Sequence, residues 1–213
     1  MLKDNALLVR DQIIELLAKT NSELTTTLKH DSPFQLLIAT ILSAQCTDKR
    51  VNSITEKLFA AHPTVEALDQ LSLEKLEAYI KSAGLWRIKA RNIKHTCRML
   101  INDFHGEVPK TRDELMRLPG VGRKTANVVL ANAFYIPAFP VDTHVHRVAN
   151  RLGLVNSKTS IQTESQLMNI IPYNHWNDAH HWLINHGRQV CQARRPLCNK
   201  CILTDHCQYN NQH

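Results

Sequence analysis

The most informative internal stretch of the chain reads Leu118-Pro119-Gly120-Val121-Gly122-Arg123-Lys124-Thr125-Ala126. Two glycines one residue apart, between two segments with helical patterning, allow positive φ angles and predict a tight hairpin. The backbone N–H groups of the hairpin and of the next helix's first turn would then face one point. A phosphate fits there, because the first turn of a helix offers N–H donors and a positive dipole end.

Such a segment is a helix-hairpin-helix, a motif that holds the DNA backbone without reading its sequence. The alternative is an ordinary glycine-rich connection between helices. The chain carries a formal charge of +7 from 26 basic and 19 acidic side chains, which agrees with a nucleic-acid partner but is weak support by itself.

Length and composition exclude several classes of protein. The 213 residues are 43% hydrophobic, enough to build the core of one large domain or two small ones. No apolar run approaches the ~20 residues that a membrane helix needs. The N-terminus has mixed charge and no long apolar segment of the kind that directs export. We therefore expect a cytoplasmic protein without a membrane partner.

The remainder of the chain predicts one helix after another, with no sustained period-2 alternation, so the expected fold class is all-α. Ser32-Pro33 suits the N-cap and first turn of a nearly apolar helix over residues 34–44. Gly84 is placed to end a helix that begins after Ser72. Further helices are predicted over residues 7–17, 86–104, 112–118 after a Thr111/Glu114 capping box, 123–134, 141–152, 163–171 and 178–190.

Lys124 has two interpretations: a phosphate contact or a nucleophilic amine. A helix N-terminus and Arg123 disfavour its charged form, so a free amine becomes available to attack a sugar C1′ and form a Schiff base. That chemistry needs a carboxylate, and Asp142 is the candidate. A helix through Phe134 climbs ~15 Å and an extended return through residues 135–141 covers ~20 Å, so the two side chains can meet. Asp142 also suits the N-cap of the following helix.

Four of the six cysteines lie in the last 23 residues, in a C-x6-C-x2-C-x5-C run formed by Cys191, Cys198, Cys201 and Cys207. Thiolates this dense indicate one soft metal centre. A single C-x2-C with outlying cysteines favours an iron–sulfur cluster, and structural zinc is the second possibility. A disulfide framework would need an oxidising compartment, which nothing at the N-terminus indicates.

Together these segments closely resemble endonuclease III, a family of bifunctional DNA glycosylases. The resemblance runs from about Asp31 to Cys207, and its strongest parts are Leu42–Asp48 (LSAQCTD), Leu118–Leu130 (LPGVGRKTANVVL), Val141–Val148 (VDTHVHRV) and the tail His180–Cys207.

The resemblance implies a two-lobed helix-hairpin-helix glycosylase fold. A six-helix domain over residues 26–136 would carry the hairpin. A second domain, formed by residues 1–25 together with 137–213, would hold a 4Fe–4S cluster in its C-terminal loop, residues 191–207. The implied function is base excision repair: removal of oxidised pyrimidines from duplex DNA, followed by AP lyase cleavage of the strand 3′ to the abasic site. The implied partner is duplex DNA with a damaged pyrimidine or an abasic site, bound by a monomer that associates with the nucleoid if the source is bacterial.

Residue roles carry over at the matching positions. Lys124 would be the Schiff-base nucleophile and Asp142 its charge-stabilising partner. Gln45 would enter the gap left by the flipped base, and Leu85 would wedge the opposite strand. The four tail cysteines would ligate the cluster. The remaining implied DNA contacts are Gly120, Gly122, Arg123, Thr125, His144, Arg194 and Arg195.

Two rival functions stay open at this level. A mismatch-specific adenine glycosylase shares the hairpin, the aspartate and the cluster, but that branch lacks the lysine and has an additional C-terminal domain. A non-enzymatic DNA-binding module with a structural zinc is the other, and the lysine–aspartate pairing disfavours it. The chain departs from the family at Cys46, where alanine is frequent, and at Trp86, where a smaller aromatic is common.

Overall fold

The structure is a computed structural model that describes residues 2–20 and 26–211, with side chains described from residue 8 onward. Within those ranges the chain forms twelve α-helices, three short 3-10 turns and no β-strand, which confirms the all-α prediction. It divides into two compact units, which we call the hairpin unit (Thr26–Ile136) and the cysteine unit (Met1–Thr25 with Pro137–His213). No helix in the described part of the chain is long and apolar enough to cross a membrane.

The hairpin unit contains seven helices in its described residues, one more than the six that the resemblance implies. They are α2 (Pro33–Ser43), α3 (Asp48–Ala61), α4 (Val65–Gln70), α5 (Leu73–Ile80), α6 (Trp86–Phe104), α7 (Arg112–Arg117) and α8 (Arg123–Ala133). Helix α2 packs against α3, α6 and α8, and every residue from Phe34 to Leu42 is buried. Its nearly uniform apolar sequence is what a helix surrounded by other helices requires.

The predicted helix starts in this unit are confirmed. The Ser32 hydroxyl accepts a hydrogen bond from the N–H of Gln35, and Pro33 occupies the first turn of α2. The Thr111 hydroxyl caps α7 by accepting from the N–H of Glu114. These caps were predictable because each depends on residues three positions apart in the sequence.

Helices α3 and α4 were not predicted. In α3 the buried positions Val51, Ile54 and Leu58 follow helical spacing, so a periodic signal was present. Helix α4 has only six residues, and its start is capped by the Thr64 hydroxyl, which accepts from the N–H of Ala67. A helix this short is not stable alone and depends on packing, here against α6.

The prediction that Gly84 ends a helix was wrong. Helix α5 ends at Ile80, and the residue with a left-handed backbone in this turn is Leu85, at φ 59°. Glycine at position 84 provides space instead: a Cβ there would lie 3.3 Å from the carbonyl oxygen of Gln45. Gly84 therefore marks a close approach between the α5–α6 turn and the segment that follows α2.

The cysteine unit joins the N-terminal helix to the C-terminal part of the chain. Its helices are α1 (Leu2–Lys19), α9 (Thr143–Leu152), α10 (Ser160–Ile170), α11 (Trp176–Gln189) and α12 (Gln208–Asn211), with 3-10 turns at Tyr173–His175, Cys198–Lys200 and Thr204–His206. Helices α1 and α9 both pack on α11. Ile13 and Leu17 of α1 enter the same core as Leu203 and Cys207 of the tail. The side chain of Leu7, which the helical pattern also included, lies outside the described residues.

Candidate functional site

The hairpin between α7 and α8 uses its two glycines differently. Gly120 has φ +81°, which favours glycine, and a Cβ there would lie 2.9 Å from the Asn92 side-chain nitrogen, so the end of that side chain would have to move. Gly122 has φ −90° and is the N-cap of α8, and a Cβ there would meet nothing within 4 Å. Only Gly120 is left-handed, which corrects the expectation that both glycines serve the turn. Gly122 instead leaves an open, exposed backbone in front of the helix.

The first turn of α8 holds the basic residues of the motif. Lys124 is exposed, and Arg123 and Thr125 are half-buried beside it. Gly122 has no side chain with which to cap the helix, and the first turn contains no acidic residue. Basic side chains beside the positive end of a helix dipole add to its attraction for an anion. The local chemistry of this turn therefore suits a phosphate.

Asp142 is the N-cap of α9, as the sequence predicted. Its Oδ1 accepts hydrogen bonds from the N–H groups of His144 and Val145, at 2.8 and 2.9 Å. Its Oδ2 lies 3.3 Å from Nδ1 of His144, which is half-buried. The carboxylate is thus held in one orientation. Asp142 belongs to the cysteine unit and Lys124 to the hairpin unit, and their meeting stays a prediction.

Gln45 and Leu85 are brought to one region of the hairpin unit. Both have left-handed backbones, at φ 54° and 59°, although neither is glycine. Both side chains are exposed, Leu85 by 54%. Gly84, next to Leu85, packs close to the carbonyl oxygen of Gln45. Left-handed non-glycine residues are uncommon and cluster at functional sites, where surrounding contacts offset the strain.

Lys89 is a residue of this region that the sequence pattern did not single out. It is only 4% exposed, and its Nζ donates to the carbonyl oxygens of Leu42 at 2.8 Å and Ala44 at 2.6 Å. Burial lowers the pKa of Lys89, while nearby Cys46 acts in the opposite direction. The available signal was its position on the buried stripe of α6, which continues through Ile93 and Thr96.

The four tail cysteines are all free thiols in one loop of the cysteine unit. Burial raises the pKa of the Cys201 thiol, and Cys207 and Cys191 raise it further, partly offset by the N–H of Leu203. Donors surround the sulfurs: that N–H lies 3.4 Å from Cys201 Sγ, and Arg151 Nη1 lies 3.6 Å from Cys191 Sγ. Among the residues that the structure describes, no group of three or more His, Cys, Asp or Glu side chains is arranged to hold a metal ion.

Two arginines of α9 fix the start of the cysteine loop. Arg147 donates to the carbonyl oxygens of Gly187 and Cys191, at 2.8 and 3.0 Å from Nη2. Arg151 donates to those of Gln192 and Ala193, at 2.7 and 2.8 Å. The next two residues are the exposed Arg194 and Arg195. They therefore lie on a braced loop, and their contact with phosphates stays a prediction.

Comparison with known proteins places these features in a family context. Residues 38–173 match the family model described as HhH-GPD superfamily base excision DNA repair protein. Endonuclease III of Haemophilus influenzae is 49% identical over 203 residues, which span 95% of this chain and 96% of the relative. Endonuclease III of Escherichia coli K12 is 47% identical over the same shares of the two chains. Among solved structures, a trapped endonuclease III–DNA covalent intermediate, an estranged-adenine complex, aligns with a TM-score of 0.90 at 47% identity, covering 95% of this chain and 97% of that chain.

Proposed function

The chain belongs to the HhH-GPD superfamily of base excision DNA repair proteins and, within it, to the endonuclease III family; on that premise we propose a role for each of its site residues. It is a DNA glycosylase and AP lyase that acts on oxidised pyrimidines. The observation that carries this conclusion is near-half identity along 95% of the chain. Its partner would be duplex DNA that contains a damaged pyrimidine or an abasic site. The similar endonuclease III structure that contains DNA supports a DNA partner.

Lys124 would be the nucleophile. Its amine forms a bond to C1′ while the bond from C1′ to the base breaks, and the base leaves with the electron pair and takes up a proton. The attached nitrogen gives up a proton, and its lone pair then forms the C1′=N bond while the bond from C1′ to the ring oxygen O4′ breaks and O4′ takes up a proton. The protonated Schiff base formed by this ring opening acidifies C2′, so loss of a C2′ proton breaks the C3′–O bond and cleaves the strand. Lys124 is exposed in the first turn of α8, and a phosphate bound at that helix end would bring the neighbouring sugar close to its amine, which supports this role.

Asp142 would stabilise the positive charge that develops on the sugar and assist proton transfer from the amine. Its Oδ1 is engaged by two backbone N–H groups at the start of α9. That engagement orients the carboxylate before substrate arrives, which is the condition under which a fixed charge contributes most to catalysis. His144, beside the carboxylate, would contact DNA.

Gln45 and Leu85 would serve extrusion of the damaged base. Gln45 would fill the gap that the base leaves, and Leu85 would enter the opposite strand. Their exposure and left-handed backbones support the proposal, because a residue held rigidly away from its relaxed conformation loses little freedom when it enters DNA. Gly122, Arg123 and Thr125 would hold the backbone beside them.

The tail cysteines would hold a 4Fe–4S cluster. Four free thiols share one loop, which is the donor set that such a cluster takes. Burial raises the pKa of Cys201, and a bound cation would favour its thiolate. When bound, the cluster supplies a rigid cross-link for the loop that carries Arg194 and Arg195. Structural zinc is the alternative occupant. We propose that the enzyme works as a monomer in the cytoplasm, on nucleoid DNA if the source is bacterial.

Borohydride trapping tests the proposal at Lys124. Wild-type protein mixed with a thymine glycol duplex or an abasic duplex should give a covalent adduct. Lys124→Gln should lose the adduct and strand cleavage but keep much of its DNA affinity, because one phosphate contact among many contributes little. Arg123→Gln is the matched control, since it removes the same charge from the adjacent position and should keep the adduct.

Two outcomes would contradict the assignment. If Lys124→Gln forms the adduct at the normal rate, another amine is the nucleophile. If the wild-type protein forms no adduct with either duplex, the lyase function itself is wrong for this chain.

A further inference from the structure

Lys89 fixes the path of the chain as it leaves α2. The last carbonyls of a helix have no partner within the helix, and the Lys89 ammonium donates to two of them, at Leu42 and Ala44. A cation at the negative end of the helix dipole strengthens this arrangement. The N–H of Cys46 donates to the Ser43 carbonyl at 3.0 Å and closes the turn.

The constraint acts directly on Gln45. The Ala44 carbonyl and the Gln45 N–H belong to one planar peptide group, so the hydrogen bond from Lys89 Nζ holds the plane from which Gln45 departs. Gln45 leaves that plane at φ 54°, a conformation in which a side chain with a Cβ is strained. Without a fixed carbonyl at Ala44, Gln45 would be free to relax toward the usual negative φ.

The same lysine is tied to the second left-handed residue. Its backbone N–H donates to the carbonyl oxygen of Leu85 at 3.1 Å, which begins α6 with Leu85 as its N-cap. Gly84 brings this turn against the Gln45 carbonyl. Lys89 therefore contacts, through its backbone, the residue that opens α6 and, through its side chain, the residue before Gln45.

We infer that Lys89 is a positioning residue for base extrusion, whose ammonium holds Gln45 in its left-handed conformation, beside Leu85, before DNA binds. The inference rests on the extrusion roles proposed above for those two residues. Lys89 is only 4% exposed and would not contact DNA itself, so its effect is to preorganise the backbone at Gln45.

The test is Lys89→Met, which keeps an unbranched side chain and removes the ammonium. The probe is a thymine glycol duplex with 2-aminopurine beside the lesion, whose fluorescence rises on extrusion. We expect the extrusion rate to fall about tenfold, the equivalent of one residue relaxing from the left-handed region. Affinity for undamaged duplex should change less than about twofold, because no phosphate contact is lost.

Lys94→Met is the matched control. Lys94 lies on the same helix and its Nζ donates to the carbonyl oxygens of Leu68, Asp69 and Leu71, at the end of α4 rather than α2. It should lower stability as Lys89→Met does, yet leave extrusion unchanged. A second comparison uses Gln45→Ala, in which Lys89→Met should slow extrusion little further, because the residue it positions is already truncated.

An unchanged extrusion rate in Lys89→Met, or an equal loss in Lys94→Met, would overturn the inference. So would a full tenfold loss in the Gln45→Ala background, since the effect would then not act through Gln45. If Lys89→Met does not fold, Lys89→Gln undergoes the same comparisons. If wild-type protein neither extrudes nor excises thymine glycol, the proposed function has failed, which is a separate result.

Discussion

Asp142→Asn separates the capping role of the Asp142 carboxylate, which the structure shows, from the catalytic role that we propose for it. Asparagine keeps an acceptor oxygen for the N–H groups of His144 and Val145, and it ranks with aspartate as an N-cap. The loss in stability should be limited to the charge–dipole part, about 0.3–1 kcal/mol. Asp142→Ala removes the acceptor as well, and loss of such a cap costs about 0.5–2 kcal/mol in total.

The excision rate should not distinguish the two variants in the way that stability does. Both variants remove the fixed charge that is proposed to act in the transition state, and loss of one such preorganised group costs about 2.7–4 kcal/mol, or a factor of about 100–1000 in rate. We therefore expect Asp142→Asn and Asp142→Ala to be almost equally inactive although they differ in stability. Binding of the lesion duplex should stay near the wild-type level in both.

Urea unfolding, single-turnover excision of thymine glycol and fluorescence anisotropy with the same duplex measure the three quantities. An active Asp142→Asn beside an inactive, unstable Asp142→Ala would mean that Asp142 acts only as a cap, and the catalytic assignment would be wrong. Equal destabilisation by the two variants would instead refute the account of the cap.

Three further predictions concern the hairpin and the cysteine loop. Gly120→Ala should lower the free energy of unfolding in urea by about 1–2 kcal/mol because of the left-handed φ at this position. Gly122→Ala should lower it by less than about 1 kcal/mol but weaken DNA binding measured by anisotropy, since its Cβ enters the space where a phosphate would sit. Equal losses of stability in the two variants would contradict this. The purified protein should be yellow-brown, with broad absorption near ~400 nm from charge transfer between thiolate and iron, and a colourless protein with one zinc per chain would rule out the cluster. Arg194→Ala or Arg195→Ala should each flatten the slope of log K against log salt by about one unit, and an unchanged slope would place these side chains away from phosphates.

The features that could be predicted from the sequence are those whose causes lie within a few residues. The capping residues Ser32, Thr111 and Asp142 act on N–H groups two or three positions away, so the starts of α2, α7 and α9 follow from local composition. The tail cysteines and the hairpin are also short continuous segments of sequence, and together they were enough to indicate the family. Helix α6 was predicted with its bounds, Trp86–Phe104, because its apolar stripe is strongly periodic.

The remaining features depend on residues that are distant in sequence, and only folding brings those together. A Cβ at position 84 would crowd the carbonyl oxygen of Gln45, 39 positions earlier, and nothing near Gly84 in the sequence indicates that contact. Nothing in the sequence distinguishes Lys89 from the other lysines, because the two carbonyl groups that bind its buried ammonium come from the end of α2. A backbone strain such as that of Gln45 is likewise invisible in composition, since the contacts that hold a residue in a rare conformation come from the surrounding fold. Residue chemistry therefore indicates which reaction the chain supports, whereas long-range packing sets how Gln45, Leu85 and Lys89 are held.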